Sequence, residues 1–181
     1  MKLEKAKIGN MDVLLVDGVP QSASGIPMGG YWKHMIPGDF KGDRVLILGV
    51  AGGTIPRLLL KKYPNVRITG VDNNPTLIMA ATNSFNLGEI KMEIKIRDGF
   101  EYIKETKKKF DLIIVDIWNG YWFPFKVLTP DFIKDCKRIL NKEGQVYINT
   151  PSLDYLAKEA LTGLNAYRDD IGRNIIYRWE K

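Results

Sequence analysis

The sequence predicts one α/β domain, in which a mostly parallel β-sheet carries helices on both faces and follows a short N-terminal β-hairpin. Three observations support this prediction. From position 44 onward, short apolar runs of strand-forming residues alternate with amphipathic helical stretches. Several helical stretches begin with a capping residue followed by proline. The chain of 181 residues is also within the usual size of a single domain. We therefore expect residues 1–181 to form one unit, with a hairpin at 1–20 and a core at 44–181.

The first twenty residues carry the pattern of a hairpin. The stretch from Leu3 to Val16 alternates and then becomes apolar, and Gly9-Asn10 interrupts it. Asp17-Gly18 then turns the chain. The following segment, 21–41, is rich in Gly, Pro and Ser, which predicts an ordered loop with one short helix around residues 31–35.

The core is predicted to contain five parallel strands, because short, nearly continuous apolar runs are typical of strands buried on both faces. These strands are Val45–Leu48, Arg67–Val71, Met92–Ile96, Leu112–Val115 and Val146–Asn149, and a final strand covers Ile175–Trp179. Thr54, Asn74 and Thr129 are the predicted N-caps of three helices. The helix after Thr129 has an apolar stripe that includes Cys136, which we interpret as a core residue.

Composition excludes several kinds of site. Cys136 is the only cysteine and His34 the only histidine, so an internal disulfide is impossible and no metal site is predicted. No apolar run approaches the roughly 18 residues of a membrane span, and the first residues lack a signal sequence. We expect a cytoplasmic protein. The net charge of +6 favours anionic partners such as nucleic acid, but the lysines are scattered, so a solvated surface is the favoured interpretation.

A glycine-rich turn follows the first core strand and is the sharpest local signal. Glycines at such a turn let the backbone approach a ligand closely and direct amide donors at it. The predicted ligand-binding residues of this turn are Gly49, Val50, Ala51, Gly52 and Gly53. The second strand ends at Asp72-Asn73, 23 positions after Gly49. A carboxylate there is suited to accept hydrogen bonds from both ribose hydroxyls.

The glycine spacing distinguishes between classes of nucleotide. The dinucleotide fingerprint Gly-x-Gly-x-x-Gly is absent, and no Walker lysine follows the turn. A ligand without phosphates needs neither feature. The pattern therefore favours an adenosine carrying a sulfonium, such as S-adenosylmethionine.

Two further acids lie at strand ends. Asp98-Gly99 follows the third strand and Asp116 follows the fourth. Because the carboxyl ends of parallel strands meet at one sheet edge, we expect these acids, Gly49 and Asp72 to face one crevice. For Asp98 alone, a helix N-cap is an equally good interpretation.

These residues resemble the class I S-adenosylmethionine-dependent methyltransferase superfamily, and more closely its spermidine synthase branch, over roughly residues 13–150. The resemblance implies a Rossmann-like class I methyltransferase fold and a homodimer. In that branch a hairpin leads into Leu-Asp-Gly-x-x-Gln, to which residues 15–21 are similar. The resemblance thus implies that Gln21 contacts the donor, Asp72 binds ribose, Asp98 binds the adenine amino group and Asp116 begins the catalytic loop.

The chain departs from that branch at acidic positions. The branch has Gly-Gly-Gly-Asp-Gly-Gly at the turn, whereas this chain has Ala51 and no acid there. The second acid of the loop after the fourth strand is replaced by Asn119, and Lys33 lies near where the branch has a glutamate. A pocket poor in acids would bind a polycation badly.

The leading hypothesis is therefore methyl or related alkyl transfer from S-adenosylmethionine to an unknown small acceptor, such as an amine. Asp116 would orient or deprotonate the acceptor, with Asn119 and Tyr31 as polar partners; its alternative role is to bind the donor or order the loop. Two other functions stay open: aminopropyl transfer from decarboxylated S-adenosylmethionine, and nucleoside binding without catalysis. The aromatic stretch 118–125 is interpreted as packing or an interface, with stacking on a planar acceptor as the alternative.

Overall fold

A small antiparallel sheet forms the N-terminal part of the computed structural model, which describes residues 2–24, 30–118, 122–151 and 154–181. Its strands are β1 (Leu3–Ile8), β2 (Met11–Val16) and β3 (Val19–Ala23), in the order β1-β2-β3. The predicted hairpin is present, and β3 extends it. Asp17 and Gly18 both have positive φ angles, of 49° and 80°, which turn the chain back onto β2.

The main sheet has seven strands in the order β6-β5-β4-β7-β8-β10-β9. The parallel strands are β4 (Arg44–Leu48), β5 (Arg67–Asp72), β6 (Met92–Ile96), β7 (Phe110–Val115) and β8 (Leu140–Thr150). The last two, β9 (Tyr167–Ile171) and β10 (Asn174–Glu180), are antiparallel. Every predicted core strand is present. The chain leaves β4 first toward β5 and later returns to its other side with β7, so a crevice opens between β4 and β7.

In the described part of the chain, five helices cover this sheet: α1 (Thr54–Lys62), α2 (Pro75–Phe85), α3 (Gly99–Glu105), α4 (Pro130–Ile139) and α5 (Asp154–Ala160). Short 3-10 helices cover Tyr31–Met35, Leu87–Glu89 and Phe125–Leu128. The predicted caps Asn74 and Thr129 are confirmed, since their side chains accept hydrogen bonds from Leu77 N and Phe132 N. None of the helices in the described ranges combines the length and apolar character that crossing a bilayer requires.

The prediction that Thr54 caps α1 is wrong. The N-cap is Gly53, whose φ of 83° no other residue type adopts as readily. The Thr54 hydroxyl instead accepts a hydrogen bond from Ala23 N at 2.8 Å and donates one to Ala23 O at 3.1 Å. This contact ties the end of the small sheet to the start of α1.

The core lies on both faces of the main sheet, as the alternation of side chains along β4 shows. Leu46 and Leu48 pack on the α3–α4 face with the fully buried Cys136, while Val45 and Ile47 pack on the opposite face with α1. A third cluster joins β2 to α2. This last cluster holds the small sheet beside the glycine-rich turn.

Candidate active site

A crevice at the carboxyl ends of the parallel strands consists of two adjoining cavities of about 360 and 380 Å³. We call the first the aromatic lobe and the second the tyrosine lobe. Both are lined by Gly49, Asp72, Asn73, Ile117 and Trp118. The aromatic lobe adds Val71, Asp98, Gly99, Phe100, Trp122 and Pro124. The tyrosine lobe adds Val16, Gln21, Tyr31, Ala51, Asn74, Pro75, Leu77 and Asp116.

Gly49 brings the ends of β4 and β7 together at the centre of this crevice. Its φ is 88°, and a Cβ at this position would lie 2.1 Å from the backbone oxygen of Asp116. Only glycine fits both the conformation and the space. The close approach sets the backbone of Asp116 beside the first residue of the glycine-rich turn.

Asp72 is fixed at the junction of the two lobes. Its Oδ2 accepts hydrogen bonds from Val50 N at 3.0 Å and Ala51 N at 3.1 Å, and its Oδ1 accepts one from Asn74 N at 3.0 Å. These bonds hold the carboxylate in one orientation, while remaining lone pairs of the two oxygens can face a ligand.

The glycine-rich turn differs from the sequence-based picture of bare amides directed at a ligand. Gly52 N donates to Ser22 Oγ at 2.8 Å, and Gly53 N donates to Val50 O at 2.9 Å. These amides bond within the protein, and Val50, Gly52 and Gly53 line neither lobe. Gly49 and Ala51 are the members of the turn that line the crevice.

Asp98 has a structural role and a place in the site. Its Oδ1 accepts hydrogen bonds from Phe100 N at 2.8 Å and Glu101 N at 3.0 Å, which confirms the N-cap interpretation. The same residue and Gly99 line the aromatic lobe. The two interpretations of Asp98 are compatible, because the cap occupies one carboxylate oxygen.

Asp116 lies in a hydrogen-bonded cluster at the wall of the tyrosine lobe. Tyr31 Oη donates to its two carboxylate oxygens at 2.9 and 3.1 Å, and Asn149 Nδ2 donates to Oδ1 at 2.7 Å. Asn174 Nδ2 donates in turn to Asn149 Oδ1 at 2.8 Å. Asn149 is 0% exposed. The cluster therefore connects the 3-10 helix Tyr31–Met35 to the ends of β7, β8 and β10.

The charge states of this cluster follow from its surroundings. Burial raises the pKa of Asp116 to about 6, although the hydrogen bonds from Asn149 and Tyr31 act in the opposite direction. Burial, together with the neighbouring Asp116 charge, raises the pKa of Tyr31 well above its ordinary value of 10.0. At neutral pH, Tyr31 is therefore a proton donor and Asp116 is mainly an anion.

The sequence prediction of Tyr31 and Asp116 as neighbours agrees with this geometry, whereas Asn149 and Asn174 were not predicted. A polar residue at the end of the apolar strand β8 is the signal that could have indicated Asn149. The third predicted catalytic residue, Asn119, lies outside the described residues.

The aromatic stretch after β7 divides into two parts. Phe123 is 5% exposed and packs against Trp118, with ring centroids 5.3 Å apart. Trp122 is 71% exposed and lines the aromatic lobe. The packing interpretation therefore describes Phe123, and Trp122 is placed where a planar group could stack.

A mostly parallel sheet with a carboxylate-lined crevice at its switch point defines a Rossmann-like domain of the class I methyltransferase type. The chain belongs to the spermine/spermidine synthase domain family, which matches residues 32–161. The family resemblance and the fold expected from it are thereby confirmed.

Curated relatives support the same assignment. The chain is 37% identical to a polyamine aminopropyltransferase of Neisseria meningitidis over 100 residues, covering 54% of this chain and 38% of the relative. It is 30% identical to the polyamine aminopropyltransferase of Thermoplasma acidophilum over 124 residues, covering 66% and 44%. An eEF1A lysine and N-terminal methyltransferase of Mus musculus is 28% identical over 134 residues, covering 67% and 19%. The chain thus spans less than half the length of these relatives.

Solved structures share the fold at low sequence identity. A probable spermidine synthase from Corynebacterium glutamicum superposes with a TM-score of 0.82 at 21% identity, covering 98% of this chain and 76% of that one. Human methyltransferase-like protein 13, in complex with SAH, gives a TM-score of 0.67 at 24% identity, covering 77% and 72%. These similarities establish the fold.

Proposed function

We propose that this protein is an aminopropyltransferase, which moves an aminopropyl group from decarboxylated S-adenosylmethionine to a small amine. The family and the polyamine aminopropyltransferase relatives favour this alternative over the leading sequence-based hypothesis of methyl transfer. The family match carries the choice of donor, and the Tyr31–Asp116 pair, which lines the same lobe as Asp72, is the observation that supports catalysis at this site.

The donor would lie across both lobes. Adenine would occupy the aromatic lobe beside Trp122 and Asp98, and the ribose hydroxyls would bind Asp72 at the junction. The sulfonium and its propyl chain would then extend into the tyrosine lobe, near Asp116. A negative carboxylate there stabilises the positive charge of the donor.

The chemistry needs little more than alignment. The lone pair of a neutral amine attacks the propyl carbon bonded to sulfur, and the new C–N bond forms as the C–S bond breaks. The electron pair of the broken bond stays on sulfur, so the leaving group is neutral methylthioadenosine. The product nitrogen carries one extra proton, which Asp116 can accept because its pKa of about 6 leaves it ionised at neutral pH. Tyr31 holds the carboxylate in position.

Methyl transfer from S-adenosylmethionine to an amine is the second candidate. The similarity to the mouse lysine and N-terminal methyltransferase and the absence of an acid at Ala51 favour it. The same crevice and the same carboxylate would serve either reaction. A homodimer and a cytoplasmic location stay predictions.

Offering each donor separately with a panel of small amines tests the proposal. With the decarboxylated donor, mass spectrometry should find amines enlarged by an aminopropyl group, together with an equal amount of methylthioadenosine. Asp116→Asn should lower kcat by about 10²- to 10⁴-fold. The control is Asp39→Asn, because Asp39 is exposed and lies near the amino ends of the parallel strands, away from the crevice. This variant should leave kcat unchanged. Methylated amines and S-adenosylhomocysteine would instead establish the second candidate, and donor binding without any product would support a non-catalytic binder.

A further inference from the structure

Building on the proposed function, we infer that Asn174 is a positioning residue for Asp116, although it lines neither lobe of the crevice. Asn174 Nδ2 donates a hydrogen bond to Asn149 Oδ1 at 2.8 Å, and Asn149 Nδ2 donates one to Asp116 Oδ1 at 2.7 Å. Asn174 thus acts through Asn149 and keeps a donor on the carboxylate that accepts the proton in the proposed reaction.

The direction of these two hydrogen bonds follows from the chemistry of the groups. An ionised carboxylate can only accept, so the NH2 group of Asn149 must face Asp116 and its carbonyl oxygen must face away. That oxygen meets the NH2 group of Asn174. If the Asn149 amide turned over, its oxygen would face the carboxylate of Asp116 and its NH2 group would face another NH2 group. Both contacts would be repulsive, so Asn174 selects the orientation that serves Asp116.

The fold holds these three residues together at the ends of neighbouring strands. Asn149 lies near the end of β8 and is 0% exposed, and Asp116 directly follows β7. Asn174 is the first residue of β10, whose Ile176 pairs with Asn149 in antiparallel register. Because Asn149 is buried, its carbonyl oxygen depends on Asn174 for a partner, and a buried oxygen without one is costly.

Other titratable groups also surround Asp116. Tyr31 donates to both of its oxygens, and Asp72 lines the same lobe. Lys33 and His34 follow Tyr31 on its 3-10 helix. Burial raises the pKa of Tyr31 well above 10.0, so Tyr31 stays protonated where Asp116 titrates. All of these side chains are unchanged in the variants described next.

Two substitutions of Asn174 remove its NH2 group and keep its approximate shape. Asn174→Leu removes the donor and adds no charge. Asn174→Asp goes further, because an ionised carboxylate accepts from the NH2 group of Asn149 and leaves the Asn149 oxygen facing Asp116. Both variants weaken the hydrogen bond to ionised Asp116, which raises its pKa, and the charge of Asn174→Asp acts in the same direction. The matched control is Arg173→Gln, which changes the net charge by the same amount at the adjacent exposed residue.

Carbon-13 NMR of labelled aspartate carboxyl groups measures the pKa of Asp116 directly, and Asp116→Asn identifies the signal by its loss. The wild-type pKa should lie near 6. Asn174→Asp should raise it by about one pH unit and Asn174→Leu by about half of that, whereas Arg173→Gln should leave it unchanged. With the decarboxylated donor and an amine that the wild type accepts, kcat of Asn174→Asp should be about tenfold lower at pH 5. At pH 9 it should match the wild type, because Asp116 is ionised in both proteins.

Three results would overturn the inference. The first is an unchanged pKa of Asp116 in both Asn174 variants, and the second is an equal increase in Arg173→Gln, which would assign the effect to net charge. The third is a loss of kcat by the same factor at every pH, as a merely structural role would produce. If one Asn174 variant does not fold, the other decides. The NMR titration needs no turnover, so a shifted pKa without product from the decarboxylated donor would overturn the proposed function and leave the role of Asn174 intact.

Discussion

Replacing Asp116 with asparagine should stabilise the fold at alkaline pH even as it removes activity. Burial raises the pKa of this carboxyl from 3.8 in an ordinary setting to about 6 in the folded protein. Between these values the folded protein binds more protons than the unfolded chain, so the free energy of unfolding falls as pH rises. The asparagine variant has no ionisable group at this position, so its free energy of unfolding does not fall for this reason. Its amide oxygen can still accept the hydrogen bond from Asn149, and its amide group can donate to Tyr31 Oη.

The magnitude follows from the two pKa values. Their difference corresponds to about 3 kcal/mol of stability, fully present below pH 3.8 and lost above about pH 6. Between about pH 4.5 and pH 8, the loss is about 2 kcal/mol. The unfolding free energy of Asp116→Asn minus that of the wild type should therefore rise by about 2 kcal/mol over this range.

Urea unfolding, followed by tryptophan fluorescence at several pH values, measures this difference directly. The control is Asp39→Asn, because Asp39 is exposed and lies outside the cluster around Asp116. Parallel stability curves for the wild type and Asp116→Asn would refute the reasoning, since they would mean that folding does not perturb Asp116.

Three further substitutions test other parts of the site. Asn149→Leu removes a hydrogen bond that lowers the pKa of Asp116, so the acidic limb of the pH–rate profile should move to higher pH; an unmoved limb would make this contact incidental. Gly49→Ala should destabilise the fold by at least about 2 kcal/mol in urea unfolding. Gly9→Ala, where nothing lies within 4 Å of the added Cβ, should cost about 1 kcal/mol. Equal costs would argue against the close approach of Gly49 to Asp116. Trp122→Ala should weaken methylthioadenosine binding by about 1–3 kcal/mol in calorimetry while leaving the melting temperature unchanged, and unaltered affinity would remove Trp122 from the proposed adenine site.

The main sheet could be predicted because the parallel strands β4, β5 and β7 are buried on both faces and appear as short apolar runs. The helix starts at Asn74 and Thr129 could also be predicted from the sequence, because a capping side chain and the proline after it act within a few residues. Thr54 carries the same local signal. At this helix, however, the preceding Gly53 adopts the left-handed conformation and is the N-cap. The threonine hydroxyl is hydrogen-bonded to Ala23, which is far from it in the sequence.

Two strands were missed because their pairing, and not their composition, makes them strands. The edge strand β9, Tyr167–Ile171, contains Arg168, Asp169 and Asp170 and pairs along one side with β10. The segment Val19–Ala23 includes a proline and pairs with β2 across an irregularity in register. Both lie at sheet edges, where charged residues and proline are tolerated.

The site could be predicted only in part. Three acids of the site could be predicted because the carboxyl ends of parallel strands meet at one side of the sheet, independently of side-chain contacts. They are Asp72, Asp98 and Asp116. The contact of Asn149 with Asn174 depends on the antiparallel pairing of β8 with β10, which the sequence does not display. The hydrogen bonds that the amides of the glycine-rich turn make within the protein likewise depend on side chains from the small sheet, such as Ser22.

Calorimetric titration of methylthioadenosine into the wild type and Asp72→Asn tests most directly whether the crevice is a nucleoside site. This ligand carries adenine and ribose without the sulfonium charge, so its affinity reports the Asp72 contact in isolation. We expect wild-type binding and a loss of roughly tenfold or more in the variant, with an unchanged far-UV spectrum. Equal affinities, or no binding to the wild type, would contradict the placement of adenosine across Asp72.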